Sequence, residues 1–222
     1  MISVIITTYN RKSFLTRAIQ SVLDQTYTDL ELIVVDNFSC NYNFHEVSSE
    51  FSDERISFFQ NANHGIIAVN RNFGIAKSKG NFLAFLDDDD FWHPDKLKLQ
   101  LPYFEDTDIY GVGSSLSFVG DNFVYINQRR KDIECLSFGD LIRGKVIPLS
   151  SLIIRNNHDL FDEDSNISSV EDWDYELNIT YKYRKSLLIL PDRLVYYHVG
   201  ELNSTNYESG YVKGLVVGRK YF

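Results

Sequence analysis

The chain has 222 residues, 44% of them hydrophobic and 14% aromatic, with 22 Lys and Arg against 31 Asp and Glu for a formal charge of −9. The apolar share is ample for one large core, and the acidic balance excludes a broad phosphate-binding face for nucleic acid. An anionic substrate would need a local cation, either a metal or a few placed Arg and Lys.

ISVII (2–6) is a short apolar, β-branched run and predicts a strand. Behind it Phe14, Leu15, Ala18, Ile19, Val22 and Leu23 recur at helical spacing, with Ser13 as the candidate N-cap. LELIVV (30–35) is a second strand, residues 43–51 a helix, and RISFF (55–59) a third strand. Residues 66–78 read as a helix weakened at Gly74, and NFLAFL (81–86), entered through Gly80, as a fourth strand. Continuous apolar strands separated by helices imply a largely parallel α/β sheet covered on both faces.

Three of those strands end in polar residues: Thr7-Thr8-Tyr9-Asn10, Asp36-Asn37 and Asp87 to Asp90. In open α/β sheets the carboxyl ends of the strands are where ligands bind, so the three tips are expected to build one pocket. Beyond them, Pro94 and Asp95 are expected to open a helix. Residues 108–126 and 145–154 read as strands. SSVEDWDYELNITYKY (168–183) reads as a helix with Val170, Trp173, Leu177 and Tyr181 along one face. The tail from residue 192 is aromatic and polar without strong periodicity. No repeat, low-complexity tract or Pro/Gly-rich linker divides the chain, so a single domain over 1–222 is expected, with a nucleotide half (1–100) and an acceptor half (101–222).

FLDDDDFWHPD (85–95) carries the chemistry. Neighbouring carboxylates repel by about 1 kcal/mol per pair at roughly 4 Å even in water, so a cation is expected among them. Hard oxygen donors suit Mg²⁺ or Mn²⁺, held by one or two carboxylates, substrate phosphates and water. Asp87 and Asp89 share a direction along an extended segment, leaving Asp88 and Asp90 for ribose, backbone or supporting contacts. A solvated acidic turn or helix cap is the other reading. An EF-hand is excluded, because the glycine and glutamate its loop needs are absent.

ISVIITTYNR, SVLDQTYTDLELIVVDN, NRNFGIAKSKGNFLAFLDDDDFWHPDKL and VEDWDYEL together resemble the inverting glycosyltransferases of family 2, which have the GT-A fold. The resemblance implies a Rossmann-like, mainly parallel sheet flanked by helices, with a smaller acceptor-side subregion. It implies that Thr7, Tyr9 and Asp36 hold the base and ribose of a nucleotide sugar. Asn37 stands where that family commonly has a second Asp; it offers donor and acceptor together, which suits uracil. The family's DXD motif falls on Asp87-Asp88-Asp89, with Asp89 the expected metal ligand and Asp87 beside it. Arg71 is a candidate for phosphate or for pairing with the acids, a purely structural salt bridge being its alternative.

An inverting transfer needs a base for the acceptor hydroxyl. The resemblance puts it in Glu171-Asp172. Ser168-Ser169-Val170-Glu171 fits a capping box, which leaves Asp172 as the base; both acids as simple complements of the helix dipole is the competing reading. His198, where relatives often carry a basic residue, is a diphosphate or metal contact or else a structural hydrogen-bonder. Trp92 and Trp173 are sugar-stacking candidates or core residues.

The expected activity is metal-dependent (Mn²⁺ or Mg²⁺) transfer of a sugar from a nucleotide-diphosphate sugar, a UDP-sugar, to a glycan or lipid-linked acceptor hydroxyl, in building a surface polysaccharide. Two rivals are a sugar-nucleotide pyrophosphorylase, disfavoured by the lack of a Gly-rich phosphate loop after the first strand, and a non-catalytic nucleotide-sugar-binding protein. Cys40 and Cys135 have neither metal-ligand nor redox spacing, and no apolar run approaches a membrane span. A cytoplasmic chain is expected, with room for peripheral association at the inner face of the membrane.

Overall fold

The computed structural model describes residues 1–120, 123–125, 130–200, 217, 220 and 221. Its first half alternates strand and helix: β1 (Ile2–Thr8), α1 (Lys12–Leu23), β2 (Leu30–Asp36), α2 (Phe44–Ser49), β3 (Ile56–Gln60), α3 (Ile67–Lys77) and β4 (Phe82–Asp87). There follow β5 (Phe91–Trp92), α4 (Lys96–Gln100), β6 (Ile109–Gly120), β7 (Phe123–Tyr125), β8 (Glu134–Leu136) and α5 (Phe138–Leu141). The last elements are β9 (Ile153–Arg155), α6 (Glu171–Tyr183) and β10 (Ser186–His198).

The strands form one sheet in the order β3-β2-β1-β4-β9-β6-β10-β5, with β7 on β6 and β8 on β10. β1 pairs in parallel with β2 and β4, and β2 with β3. β9 lies antiparallel to both β4 and β6, and β10 is parallel to β6. Two reversals restore direction, so β1, β2, β4, β6 and β10 all end on the same edge. The strand order reverses between β1 and β4, and such a switch point is where open α/β sheets bind ligands.

Period-two alternation decides which face each apolar residue covers. Val4, Ile6, Leu32, Val34, Ala84 and Leu86 pack on one face with Leu15, Ala18, Ile19 and Val22 of α1. Ile5, Ile33, Val35, Leu83 and Phe85 face the other way, against Ala68 and Ile75 of α3 and Tyr175 and Ile179 of α6. Gly74, a weak point by propensity, is required by closeness: a Cβ there would lie 2.6 Å from Cγ2 of Ile5.

Several expectations need correction. α1 begins at Lys12, so Ser13 lies inside the helix; Arg11 holds the N-cap position without a side-chain cap. Pro94 precedes α4 instead of opening it, and Asp95 takes the N-cap position without capping. Residues 145–154 are not a strand but a loop, the 3₁₀ turn Leu149–Ser151 and the first residues of β9. The tail's first residues belong to the thirteen-residue strand β10, which was missed because Pro191 and Asp192 interrupt its pattern. Register shifts on both sides of Arg193 absorb that interruption, as bulges do. On α6 the expected face is rotated: Leu177 is buried but Tyr181 is 44% exposed, while Tyr175, Glu176 and Ile179 point inward.

Candidate active site

The register levels the strand tips. Thr8 pairs with Asp36 and Thr7 with Asp87, so the polar residues that follow β1, β2 and β4 emerge side by side. They border a cavity of about 350 Å³ lined by Thr7, Thr8, Tyr9, Arg11, Asn37 and Asp88, closed by Asn63 and Gly65 of the loop before α3 and by Ile67, the first residue of that helix.

Asp36 does not line this cavity. It is fully buried, and its carboxylate accepts from the Ser39 N–H at 3.0 Å, from Gln60 Nε2 at 2.9 Å and from the Ser39 hydroxyl. Asn37 faces the cavity, and its Oδ1 accepts from the Asn63 N–H at 2.9 Å, which ties the tip of β2 to the loop after β3. Asn63, Gly65 and Ile67 escaped the sequence reading; the turn-forming run NANHG (61–65) is the signal that they adjoin the pocket.

After Asp87 the chain turns, with the Asp90 N–H donating to the Asp87 carbonyl at 3.1 Å. Alternation therefore stops, and the expected sharing by Asp87 and Asp89 is replaced by another pairing. Asp88 Oδ1 and Asp89 Oδ2 both accept from Nη1 of Arg11, at 3.1 and 2.8 Å, and Asp88 Oδ2 also accepts from the Thr8 hydroxyl at 2.7 Å. Asp87 turns to Arg71 Nη2 at 3.0 Å. Asp90 is buried under the turn, where its Oδ1 accepts from the His198 N–H at 2.9 Å. His198 thus lies at the end of β10 beside the acidic turn, with its ring 4.8 Å from that of Phe14.

Burial raises the carboxyls of Asp88, Asp89 and Asp90. Asp88 is pushed up to about 6, mainly by loss of solvent. Asp89 is raised by burial and then by Asp87. Asp90 is held well above the ordinary range by the same two causes.

Facing the turn is the start of α6. Arg71 is buried, and its two arms bridge the halves: Nη2 to Asp87 of β4, and Nη1 to Glu171 Oε1 at 2.8 Å. Its guanidinium also lies 5.4 Å from the centre of the Phe161 ring. Glu171 Oε2 accepts from the Ser169 N–H at 2.6 Å, so this carboxylate reaches back over the helix start without forming the expected capping box. Asp172, half-buried, is pushed up to about 6 by burial and by Glu171, against the opposing pull of Arg71. The Tyr197 hydroxyl is pushed up to about 12 by burial and by the charges of Asp90, Asp87, Asp89 and Asp172. Arg11 was not legible as a site residue. Trp92 is core, donating from Nε1 to the Ser150 carbonyl at 2.8 Å, and Trp173 donates likewise to Leu141 at 2.9 Å.

The hard carboxylate oxygens of Asp88 and Asp89 fit a divalent ion, since they already converge on one cation. Among the described residues no group of three or more His, Cys, Asp or Glu is disposed to enclose an ion. Phosphate oxygens and water would have to complete the shell, the usual arrangement for Mg²⁺ in nucleotide sites.

A glycosyl transferase family 2 model matches residues 3–161. The chain belongs to glycosyltransferase family 2. An uncharacterised glycosyltransferase of Rickettsia conorii is 35% identical over 147 residues, which span 66% of this chain and 23% of that protein. The Escherichia coli enzyme WfgD, a UDP-Glc:α-D-GlcNAc-diphosphoundecaprenol β-1,3-glucosyltransferase, is 35% identical over 127 residues, 57% of this chain and 47% of its own length. The chain therefore spans less than half the length of either relative. S. aureus TarS, solved with UDP-GlcNAc, superposes with a TM-score of 0.76 at 21% identity, covering 97% of this chain and 65% of that one. The mannosyltransferase PcManGT of Pyrobaculum calidifontis, solved with GDP-Man and Mn²⁺, gives 0.72 at 15% identity, over 99% of this chain and 63% of that one. The fold of this family 2 chain is GT-A: a mixed, mostly parallel sheet flanked by helices. No helix among the described residues is long and apolar enough to cross a membrane.

The raised carboxyls give the ligand-free protein a distinctive pH dependence. Asp88 and Asp172, both near 6, hold protons in the folded state that the unfolded chain releases near its ordinary carboxylate range. Folded protein therefore binds more protons between about pH 4 and 6, and stability falls as pH rises through that window. Groups shifted the other way, such as Asp53 at about 2, act only at lower pH. Lowering the pH from about 7.5 to about 5.5 is expected to add about 1 kcal/mol for each of the two carboxyls and to raise Tm by about 4–8 °C. A melting temperature that stays flat or falls over this interval in a calorimetric series would contradict the burial described.

Proposed function

We propose that this family 2 chain is a metal-dependent, inverting glycosyltransferase that moves a sugar from a UDP-sugar to a hydroxyl of a glycan or lipid-linked acceptor in surface-polysaccharide assembly. One observation carries the reading: Arg71 clamps Asp87 of the acidic turn to Glu171, which holds the start of the helix that carries Asp172 against that turn. The donor and acceptor in the name of WfgD, and the UDP-GlcNAc bound to TarS, support the choice of UDP-sugar and lipid-linked acceptor. The Mn²⁺ of PcManGT supports the metal.

In this reading Thr7, Tyr9 and Asn37, which line the cavity, contact the nucleoside. Asp36, buried and held by Ser39 and Gln60, braces the tip of β2, and Arg71 braces the junction of the two halves without touching phosphate. Asp88 and Asp89 would hold Mn²⁺ or Mg²⁺, with Asp87 beside them. When bound, such an ion neutralises charge on the leaving diphosphate. Asp172 takes the proton of the acceptor hydroxyl as its oxygen attacks C1 of the sugar; the C1–O bond to the diphosphate breaks on the opposite face, and the bonding pair leaves with the diphosphate. A carboxylate near pH 6 is well matched to this, ionised at neutral pH yet basic enough to accept.

The test is a panel of nucleotide sugars with and without Mn²⁺. A UDP-sugar at about a hundred times its Kd should stabilise the protein by about 2.7 kcal/mol, a Tm rise of about 5–10 °C. UDP release should require the metal and vanish in Asp89→Ala. Tight donor binding with no turnover across a range of glycan and lipid-linked acceptors would sink the enzyme reading.

A further inference from the structure

We propose that Arg11 is a built-in counter-ion of the acidic turn, standing between Asp88 and Asp89 in the ligand-free protein and yielding its place there when metal and nucleotide enter together. This rests on the reading of the turn as the donor's cation site.

A single nitrogen, Nη1, serves both carboxylates, at 2.8 Å from Asp89 Oδ2 and 3.1 Å from Asp88 Oδ1. Those side chains are only 18% and 7% exposed, so without a cation their mutual repulsion would be poorly screened. Among the described residues two further arginines adjoin the turn, and each is anchored. Arg71 is buried with both arms in ion pairs. Arg17 donates to the Asp89 carbonyl at 2.7 Å and lies 4.4 Å from the centre of the Phe91 ring. Arg11 differs from both: its side chain is 40% exposed, it lines the cavity, and its helix does not use it as a cap. Its guanidinium can therefore leave the turn without breaking the core.

A divalent ion taking Asp88 and Asp89 would meet a positive charge already between them. Entry of metal alone thus pays for displacing Arg11 and gives the guanidinium no new partner. Entry of metal with a nucleoside diphosphate supplies one, because the freed fork stands on the cavity wall and suits phosphate oxygens. The arrangement makes metal and nucleotide binding mutually reinforcing, each weak without the other.

The measurement is direct Mn²⁺ binding by electron paramagnetic resonance and calorimetry, with and without UDP, on wild type, Arg11→Gln and Arg11→Ala. Lys12→Ala is the control, since it removes the same charge one residue away from a side chain paired with Glu50. Both Arg11 variants are expected to bind Mn²⁺ alone about fivefold tighter, the size that a partly exposed ion pair carries. They should bind UDP at saturating Mn²⁺ more weakly, so the coupling between the ligands shrinks. Thermal melts establish that each variant is folded, and the Gln variant keeps the side-chain length should the Ala variant not fold. Wild type that binds Mn²⁺ and UDP together, with variants unchanged for Mn²⁺ alone or matched by Lys12→Ala, overturns the counter-ion inference and leaves the donor site standing. Wild type that takes up no Mn²⁺ even with UDP removes the donor-site reading and this inference with it.

Discussion

Asp172→Asn is expected to slow glycosyl transfer by about 10²–10⁴-fold, the contribution of a placed general base, while UDP binding changes by less than about twofold. The substitution keeps shape and removes only the proton acceptor. In the proposed function the donor contacts are the cavity residues at the strand tips, on the other side of the Arg71 bridge, so affinity should survive. The same carboxyl sets the pH profile. Burial and Glu171 hold it near 6, so wild-type transfer should climb as pH rises through about 6 and be lost below it as Asp172 becomes protonated. That rising limb should be missing from the residual activity of the variant. Glu176 is the control: one turn along the helix and fully buried, it accepts from the Ile147 N–H at 3.2 Å and is held well above the ordinary carboxyl range by burial. Glu176→Gln should leave the limb in place. A variant Asp172→Asn with undiminished transfer, or one that loses UDP binding in parallel, would remove Asp172 from the base role.

Much of this was legible in the sequence, for identifiable reasons. β1, β2 and β4 are buried on both faces, so their residues are apolar without alternation, and their order with the helices fixes a parallel sheet. Because parallel strands end on one edge, three polar tips in the sequence translate directly into one pocket. The second half reads less well. β9 has three residues, β10 is broken by Pro191 and three register shifts, and β6 and β10 pair across more than seventy residues of sequence. Local pattern carries no information on such distant pairing. Arg11 was hidden for a different reason: a basic residue before a helix is unremarkable until the turn of β4 is folded against it. His198 is one polar residue in an aromatic run until β10 brings its N–H to Asp90. Asp36 shows the converse. Its type and position suggested a ligand contact, but Ser39 and Gln60 occupy its carboxylate, and partners three and twenty-four residues away are visible only in the fold.

Arg71→Met should be the most destabilising single change near the site, by about 3–5 kcal/mol, with Tm lowered by about 6–20 °C. Methionine retains most of the apolar contact with Phe161 but strands Glu171, whose side chain is 9% exposed, next to Asp172. Asp87, 36% exposed, can recover water and contributes the smaller share. If the cost comes from stranding a buried carboxylate, removing that charge too should restore stability. Arg71→Met with Glu171→Gln is therefore expected to be more stable than Arg71→Met alone, an interaction of at least about 1 kcal/mol in a double-variant cycle. Electrostatics adds a second readout. Arg71 pulls the Asp172 carboxyl down, so without it that carboxyl rises further, and the rising limb of any residual transfer should move to higher pH. A merely steric role for Arg71 predicts additive stabilities and an unmoved limb. A clamp between the acidic turn and the base helix predicts both changes together, because one guanidinium holds the two carboxylates and tunes the third.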